Sequence, residues 1–196
     1  KISKNIEVIP NWVIEMVHND FDKRYENKIL TVGRLEKQKN ISSLIKSMQG
    51  SEIEIDIVGD GSEKYSLVQL SKMLNVKVNF LGKLNFKELN NIYKNYRIFI
   101  LPSLFEGNPK ALLESMSNGC LVIAAYNKNV EEIITNNKNG ILYNPEDDLI
   151  KMVKYYLREK EVSEKIIRNG YQTIEQHNQI ENIMESEIFN YKNLVK

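Results

Sequence analysis

The sequence predicts an α/β domain with a parallel sheet of about six strands and helices on both faces of the sheet. Short runs rich in β-branched residues alternate with amphipathic segments through most of the 196 residues. Glycine turns follow three of these runs, as expected where a strand leads into a helix. The run "RIFILPS" (97–103) is strongly apolar, which is typical of a strand buried on both faces of a sheet.

In the first half of the chain, three predicted strands alternate with three predicted helices. The strands come from the runs "KILTVGR", "IEIDIVGDG" and "VKVNFLG", at 28–34, 53–61 and 76–82. The helices come from amphipathic segments at 40–50, 62–74 and 85–95. Gly50 closes the first helix, and Asn85 is suited to be the N-cap of the third.

The second half continues the alternation and then becomes helical. Its strands come from "RIFILPS", "CLVIAAY" and "GILYN", at 97–103, 120–126 and 140–144. Its helices are predicted at 109–118 and 129–135, and after Pro145 at 146–158, 161–169 and 171–194. Because alternating strands and helices are joined by right-handed crossovers, we expect a parallel, Rossmann-like sheet.

Composition excludes several classes of protein. The 27 basic and 26 acidic residues leave a net charge of +1, which argues against a nucleic-acid-binding protein. Cys120 is the only cysteine, so an intrachain disulfide is excluded and a reducing, cytoplasmic setting is expected. His18 and His177 lack the spacing of metal ligands, and no bound metal is expected. No apolar run reaches the roughly 18 residues of a membrane span. The chain opens in the middle of a pattern without Met, so we expect an upstream part.

Four predicted strands run into polar or glycine-rich turns. These turns are "GRLEKQKN", "GDGSEK", "GKLN" and "PSLFEGNP". Ligands of doubly wound sheets bind outside the carboxyl ends of the strands, where these four turns are expected to meet. The first turn contains Arg34 and Lys39, a guanidinium and an ammonium that suit a diphosphate. The alternative is that both are solvated loop charges.

The second turn holds half of a dinucleotide fingerprint. Gly59 and Gly61 form a G-x-G, but Lys64 replaces the third glycine of G-x-G-x-x-G, so a dinucleotide-dependent oxidoreductase is disfavoured. The helix start offers free N–H groups to an anion or a base. A turn that needs positive φ explains each glycine equally well.

The fourth turn carries two glutamates eight residues apart. Pro109 suits the first position of a helix and Asn108 the cap before it, so Glu106 is expected in the loop and Glu114 inside the helix. The apolar neighbours of Glu114 predict a position at the boundary of burial, where a carboxylate needs a partner such as the two hydroxyls of a ribose. Two solvated or salt-bridged glutamates remain an equal alternative.

Taken in order, these segments resemble the donor-binding half of retaining nucleotide-sugar glycosyltransferases with the GT-B fold, often called family 4 or glycosyl transferases group 1. The matching pieces cover nearly the whole chain. They are "VIPNWV" (8–13), "VGRLEKQKN" (32–40), "IVGDG" (57–61), "FLGKL" (80–84), "ILPSLFEGNPKALLESMSNG" (100–119) and "NGILYNPED" (139–147). The pair of glutamates in the fifth piece, an E-x7-E motif, is the most specific of them.

The resemblance implies a role for each candidate residue. Arg34 and Lys39 would hold the donor diphosphate, Glu114 the ribose, and Glu106 the donor sugar as the catalytic residue. Backbone contacts to the sugar and phosphate would come from Gly107, Asn108 and Lys110. The base would lie near Gly59, Gly61, Gly82, Lys83 and Leu84. Trp12 and the Asn108–Pro109 pair depart from the family pattern, and proline removes one N–H from the loop.

The resemblance also implies a reaction and its partners. It implies a nucleotide-diphosphate sugar as donor, retention of configuration, no metal cofactor, and a sugar or lipid-linked acceptor held by a missing N-terminal domain. It divides the chain into a linker (1–27), a donor-binding domain (28–170) and a C-terminal helix docking on the missing domain (171–196). A cytoplasmic enzyme at the inner face of the membrane fits this scheme. The alternative is a non-catalytic module that binds a sugar nucleotide or a protein partner.

Overall fold

The protein folds around one six-stranded parallel sheet. The structure, a computed structural model, describes residues 11–13, 16, 21–181, 183–185 and 187–188. Its strands are β1 (Tyr25–Val32), β2 (Glu54–Val58), β3 (Val78–Gly82), β4 (Tyr96–Leu101), β5 (Leu121–Ala125) and β6 (Ile141–Tyr143). Its helices are α1 (Ile41–Ser47), α2 (Lys64–Met73), α3 (Phe86–Tyr93), α4 (Lys110–Ser117), α5 (Lys128–Glu131), α6 (Leu149–Arg158) and α7 (Lys160–His177).

The order of the strands creates a crevice at the carboxyl edge of the sheet. The order is β3-β2-β1-β4-β5-β6, and every neighbouring pair is parallel. The direction of winding reverses between β1 and β4, which is the switch point where doubly wound sheets bind ligands. The predicted Rossmann-like sheet is confirmed.

The two faces of the sheet form separate hydrophobic clusters because side chains alternate along each strand. Ile29, Ile57 and Ile100 point to one face, where α1, α2 and α6 cover them. Leu30 and Phe99 point to the other face, which is covered by apolar side chains of α3, α4 and α7. All six residues of β4 are buried, as the apolar run predicts.

Local signals at two helix ends are confirmed. The Asn85 side chain accepts a hydrogen bond from Glu88 N at 3.0 Å, and the Glu88 carboxylate accepts from Asn85 N at 2.8 Å. This reciprocal pair is a capping box, and it fixes the start of α3. Gly50 lies beyond the end of α1 with φ of +78°, a conformation that favours glycine.

The predicted start of the helix that carries Glu114 is wrong by one residue. Pro109 has ψ of 79°, outside the helical range, so it stands at the cap position and α4 begins at Lys110. Asn108 is therefore not the cap. Its carbonyl instead accepts hydrogen bonds from Lys110 N at 2.9 Å and from the Asn11 side chain at 3.1 Å.

The predicted helix break near residue 170 is also wrong, because α7 runs without interruption from Lys160 to His177. Gly170 lies buried in its middle. A Cβ atom there would lie 2.8 Å from the carbonyl oxygen of Asn139 and 3.3 Å from Met116 Cε. Glycine at this position lets the helix pack closely, and the helix continues through it. His18 and most of the first 20 residues lie outside the part of the chain that the structure describes.

Candidate functional site

Loops after β1, β2 and β3 pack against one another at the carboxyl edge. Gly59 N donates to Gly82 O at 2.8 Å, and Leu35 N donates to Asp60 O at 3.0 Å. Gly59 has φ of +140°, and a Cβ atom on it would lie 1.8 Å from Gly33 O. A Cβ atom on Gly61 would lie 2.5 Å from Leu35 O. Both glycines are thus required by the approach of two backbones, and the turn interpretation holds for Gly59.

Lys39 and Glu106 form an ion pair at the centre of this edge. Lys39 ends a short 3-10 helix, and its methylene stem lies beside Gly33, whose missing Cβ would stand 3.5 Å from it. Its Nζ donates to Glu106 Oε1 at 2.7 Å and to Oε2 at 3.0 Å. The side chains are 20% and 5% exposed, respectively. Lys39 is therefore not a solvated loop charge, and for Glu106 the structure shows the salt-bridged alternative.

Arg34 does not join this pair. Its side chain is 68% exposed, and Nη1 donates to Glu36 Oε1 at 3.1 Å. The structure therefore places Arg34 in the same loop as Lys39 but leaves its guanidinium in solvent beside another carboxylate.

Glu114 lies on α4 at the boundary of burial, as predicted, and is 7% exposed. Tyr93 Oη donates to Glu114 Oε2 at 3.3 Å. Burial raises the pKa of the Glu114 carboxyl above its ordinary value, while the Lys110 ammonium and the Tyr93 hydrogen bond partly offset the shift. The carboxylate lines a small cleft, together with Trp12, Val13, Phe86, Asn90, Lys110 and Ser117.

The end of α4 is held by side chains that sequence patterns did not single out. Arg24 is buried, and its guanidinium donates to Asn118 O at 2.8 Å and to Gly119 O at 2.6 Å. A cation against the last carbonyls of a helix is favourable. Asn118 Nδ2 and Ser117 Oγ each donate to the main-chain carbonyl of Glu114 at 2.9 Å. These contacts fix the turn from which the Glu114 side chain projects.

The loop that contains Glu106 is held by three side-chain amides. Gln38 Nε2 donates to Phe105 O at 3.0 Å, and Asn11 Nδ2 donates to Asn108 O at 3.1 Å. Asn129 Nδ2 donates to Glu106 O and, at 3.2 Å, to Gly107 O. Spacing in the sequence could not identify these residues, because the contacts join positions that are 22 to 97 residues apart.

The other predicted residues lie around the same edge. Lys110 is the first residue of α4, beside Glu114. Gly82 ends β3 with φ of +73°, followed by exposed Lys83 and half-buried Leu84. Within residues 11–13, 16, 21–181, 183–185 and 187–188, no group of three His, Cys, Asp or Glu side chains could hold a metal ion. None of the helices in these ranges is both long enough and apolar enough to cross a membrane.

The chain matches a family model over most of its length. Residues 16–173 match the model described as glycosyl transferases group 1. The chain belongs to this family. The part of the predicted resemblance that names glycosyl transferases group 1 is therefore confirmed.

Curated members of this group extend well beyond the chain. An alpha-1,4-N-acetyl-D-galactosaminyltransferase of Campylobacter jejuni, named for a substrate that ends in diNAcBac-PP-undecaprenol, is 29% identical over 164 residues. The match covers 78% of this chain and 45% of that protein. An uncharacterized glycosyltransferase of Methanocaldococcus jannaschii is 31% identical over 175 residues, or 85% of this chain and 45% of that protein. The chain thus spans about half the length of the curated relatives that it matches.

Solved structures share the fold of this glycosyl transferases group 1 chain. A mutant of Staphylococcus aureus TarM, in complex with Fondaparinux, alpha-GlcNAc-glycerol and UDP, superposes with a TM-score of 0.83 and 19% identity. It covers 96% of this chain and 40% of TarM. The C-terminal domain of LpcC, a group 1 protein of Francisella tularensis, gives a TM-score of 0.72 with 22% identity. That match covers 86% of this chain and 97% of the LpcC domain.

Proposed function

We propose that this chain is the donor-binding half of a retaining glycosyltransferase of family 4, which takes a nucleoside-diphosphate sugar. The observation that carries the proposal is the largely buried Lys39–Glu106 ion pair at the switch point of the sheet, with Glu114 eight residues further on. The likeness to the separately solved LpcC C-terminal domain supports the assignment to one half of a two-domain enzyme. The UDP in the TarM complex supports a nucleotide donor.

Lys39 is proposed to bind the donor diphosphate. Its ammonium already donates to a carboxylate at the carboxyl edge, and phosphate oxygens are likewise anionic acceptors. Arg34 is proposed to assist, because its exposed guanidinium can turn from Glu36 to a second phosphate oxygen.

Glu106 is proposed to contact the donor sugar as the catalytic residue. When the diphosphate takes Lys39, the carboxylate of Glu106 is released to accept hydrogen bonds from sugar hydroxyls. It is not assigned the role of a nucleophile. The residue stabilises the reacting end of the donor by position and charge.

Glu114 is proposed to bind the ribose of the donor. Tyr93 donates to one of its oxygens, and the carboxylate lines a small cleft. Two vicinal hydroxyls can donate to one carboxylate, which would satisfy a charge that burial otherwise disfavours. The two glutamates of the E-x7-E motif would thus bind different parts of the donor, Glu106 the sugar and Glu114 the ribose.

The surrounding loops are proposed to complete the donor site. Gly107, Asn108 and Lys110 would support the sugar and phosphates through the main chain. The base would lie beside the packed loops, near Gly59, Gly61, Gly82, Lys83 and Leu84. Charge developing on the leaving diphosphate would be stabilised by Lys39, Arg34 and main-chain N–H groups, so the proposed reaction needs no metal ion.

The whole protein is proposed to add an acceptor half to this one. Residues 28–170 would form the donor domain, 1–27 the link to the acceptor half, and 171–196 a helix that docks on it. The acceptor would be a glycan or a lipid-linked sugar, as in the name of the Campylobacter relative. A lipid-linked acceptor would bring the whole enzyme to the cytoplasmic face of a membrane.

A thermal-shift panel tests this proposal. UDP, GDP, ADP and dTDP, with the matching monophosphates, are added to the chain, and we expect one diphosphate to raise the melting temperature. Glu114→Ala should weaken binding of that diphosphate. Glu106→Ala should spare it and reduce transfer by the full-length enzyme. No stabilisation by any nucleoside diphosphate would refute the proposed function.

A further inference from the structure

Four consecutive carbonyl groups in the loop before α4 each accept a hydrogen bond from a side-chain amide. Gln38 Nε2 donates to Phe105 O at 3.0 Å, and Asn11 Nδ2 donates to Asn108 O at 3.1 Å. Between them, Asn129 Nδ2 holds both Glu106 O and Gly107 O. Every carbonyl from 105 to 108 is thus occupied by an amide from outside the loop.

These contacts determine which way the N–H groups of the loop point. In a planar trans peptide, the carbonyl and the N–H of the next residue point in opposite directions. Since Asn129 draws the carbonyls of Glu106 and Gly107 toward itself, the N–H groups of Gly107 and Asn108 lie on the opposite side of the loop. Neither N–H donates to any acceptor among the residues that the structure describes.

Proline makes these two donors more important. Pro109 has no N–H, and Lys110 N is occupied by its hydrogen bond to Asn108 O. Between Glu106 and the first turn of α4, the main chain therefore offers an anion only the N–H groups of Gly107 and Asn108. Their direction depends on a single side chain, that of Asn129.

The short helix that carries Asn129 is attached to the end of β5. This helix is α5, whose start is capped by Asn127, since Val130 N donates to Asn127 Oδ1 at 3.2 Å. Asn127 Nδ2 also donates to Ala125 O at 3.3 Å, at the end of β5. The helix that carries Asn129 is therefore attached to the end of β5 through Asn127, and this attachment sets the position from which Asn129 contacts the loop.

We infer that Asn129 is a positioning residue that aims the Gly107 and Asn108 N–H groups at the sugar-bearing phosphate of the donor. The inference rests on the proposed function, because it assumes that a donor diphosphate lies beside Glu106. It assigns Asn129 an effect on the distal phosphate alone. The ribose, which Glu114 is proposed to bind, and the base, which is proposed to lie beside the more distant loops, are not affected by it.

The test compares a nucleoside diphosphate with its monophosphate. Binding of the preferred pair from the panel, for example UDP and UMP, is measured by calorimetry for the wild-type chain, Asn129→Ala and Asn129→Leu. Both variants remove the amide donor without adding charge, and leucine preserves the size of the side chain. We expect the dissociation constant of the diphosphate to rise about tenfold in both variants, because a charge-assisted hydrogen bond is lost. The dissociation constant of the monophosphate should change less than about twofold.

A matched control separates orientation from general stability. Asn169 on α7 also donates to a main-chain carbonyl, Lys138 O at 2.8 Å, and Asn169→Ala should leave both dissociation constants unchanged. If the wild-type chain binds the diphosphate and the Asn129 variants bind it equally well, the inference is wrong and the proposed function stands. Equal weakening of both nucleotides would show a merely structural role and would also overturn it. If the wild-type chain binds neither nucleotide, the proposed function itself fails.

Discussion

Lys39 Nζ lies 2.7 and 3.0 Å from the two carboxylate oxygens of Glu106. The glutamate side chain is largely buried, and Lys39, in the loop after β1, is its only close partner within the described residues. The pair joins the two sides of the switch point, because Lys39 follows β1 and Glu106 follows β4. It also joins the residues proposed for the diphosphate and the sugar. In the proposed complex, the diphosphate would replace Glu106 as the partner of Lys39, and the sugar would replace Lys39 as the partner of Glu106.

A double-mutant cycle measures the strength of this pair. Lys39→Met should lower the free energy of unfolding by about 3 kcal/mol, because it leaves a buried carboxylate without its cation. Adding Glu106→Gln should recover part of that loss, with a coupling energy of about 1–3 kcal/mol in urea denaturation. A coupling energy under about 0.5 kcal/mol would mean that the two charges are effectively solvated.

Glu114→Gln should remove a loss of stability that the wild-type protein undergoes as pH rises. The folded-state pKa of Glu114 is raised above its ordinary value of 4.5 by burial, so the folded protein disfavours the charged form. The cost is absent below pH 4.5, where the carboxyl is protonated in both states, and grows as pH rises through the folded-state pKa. The variant should therefore gain stability over the wild type between pH 4 and 7 in urea denaturation. A constant difference across that range would contradict the assignment.

Two glycine-to-alanine changes separate folding from donor binding. Gly61→Ala places a Cβ atom 2.5 Å from Leu35 O and should destabilise the protein by about 1–3 kcal/mol, because backbone must move. Gly107→Ala meets no atom within 4 Å and should leave the melting temperature unchanged. If the donor lies against this loop as proposed, the added methyl group should weaken nucleotide binding. Loss of stability in Gly107→Ala, or none in Gly61→Ala, would contradict the arrangement of these loops.

Gly170→Ala should destabilise the protein although it lies in a helix. Helix propensity alone favours alanine by about 1 kcal/mol. At this position, however, a Cβ atom would lie 2.8 Å from Asn139 O, and the packing of α7 on the loop before β6 would have to open. Gln172→Ala at an exposed position of the same helix serves as the control and should have little effect. A rise in melting temperature for Gly170→Ala would show that the close packing is absent.

Features with a local cause could be predicted from the sequence. The β-branched runs and their spacing led to the sheet, and Asn85 with Glu88 three residues on fixed the start of α3. The position of Glu114 at the edge of burial followed from its apolar neighbours. In each case the residues that cause the structure lie within one element or one turn.

Features that depend on contacts between residues far apart in the chain could not be predicted from the sequence. Two helices were predicted at 161–169 and 171–194, but Gly170 lies inside one continuous helix and packs closely against the carbonyl of residue 139 on another segment. The start of α4 moved by one residue because Pro109 has ψ of 79°, and Asn108 O before it accepts a hydrogen bond from Asn11, 97 residues earlier. Asn129 carries no motif and acts only through contacts with the loop at Glu106. Such contacts depend on the packed fold, which spacing along the chain does not encode.

Calorimetric titration of a nucleoside diphosphate into the wild-type chain and Lys39→Met tests whether this chain binds a donor nucleotide through Lys39. We expect the wild type to bind one of UDP, GDP, ADP or dTDP with one site per chain. The variant should bind it about tenfold more weakly, since it lacks the cation proposed for the phosphates. Equal affinity in the two proteins, or no binding of any nucleoside diphosphate to the wild type, would contradict this expectation.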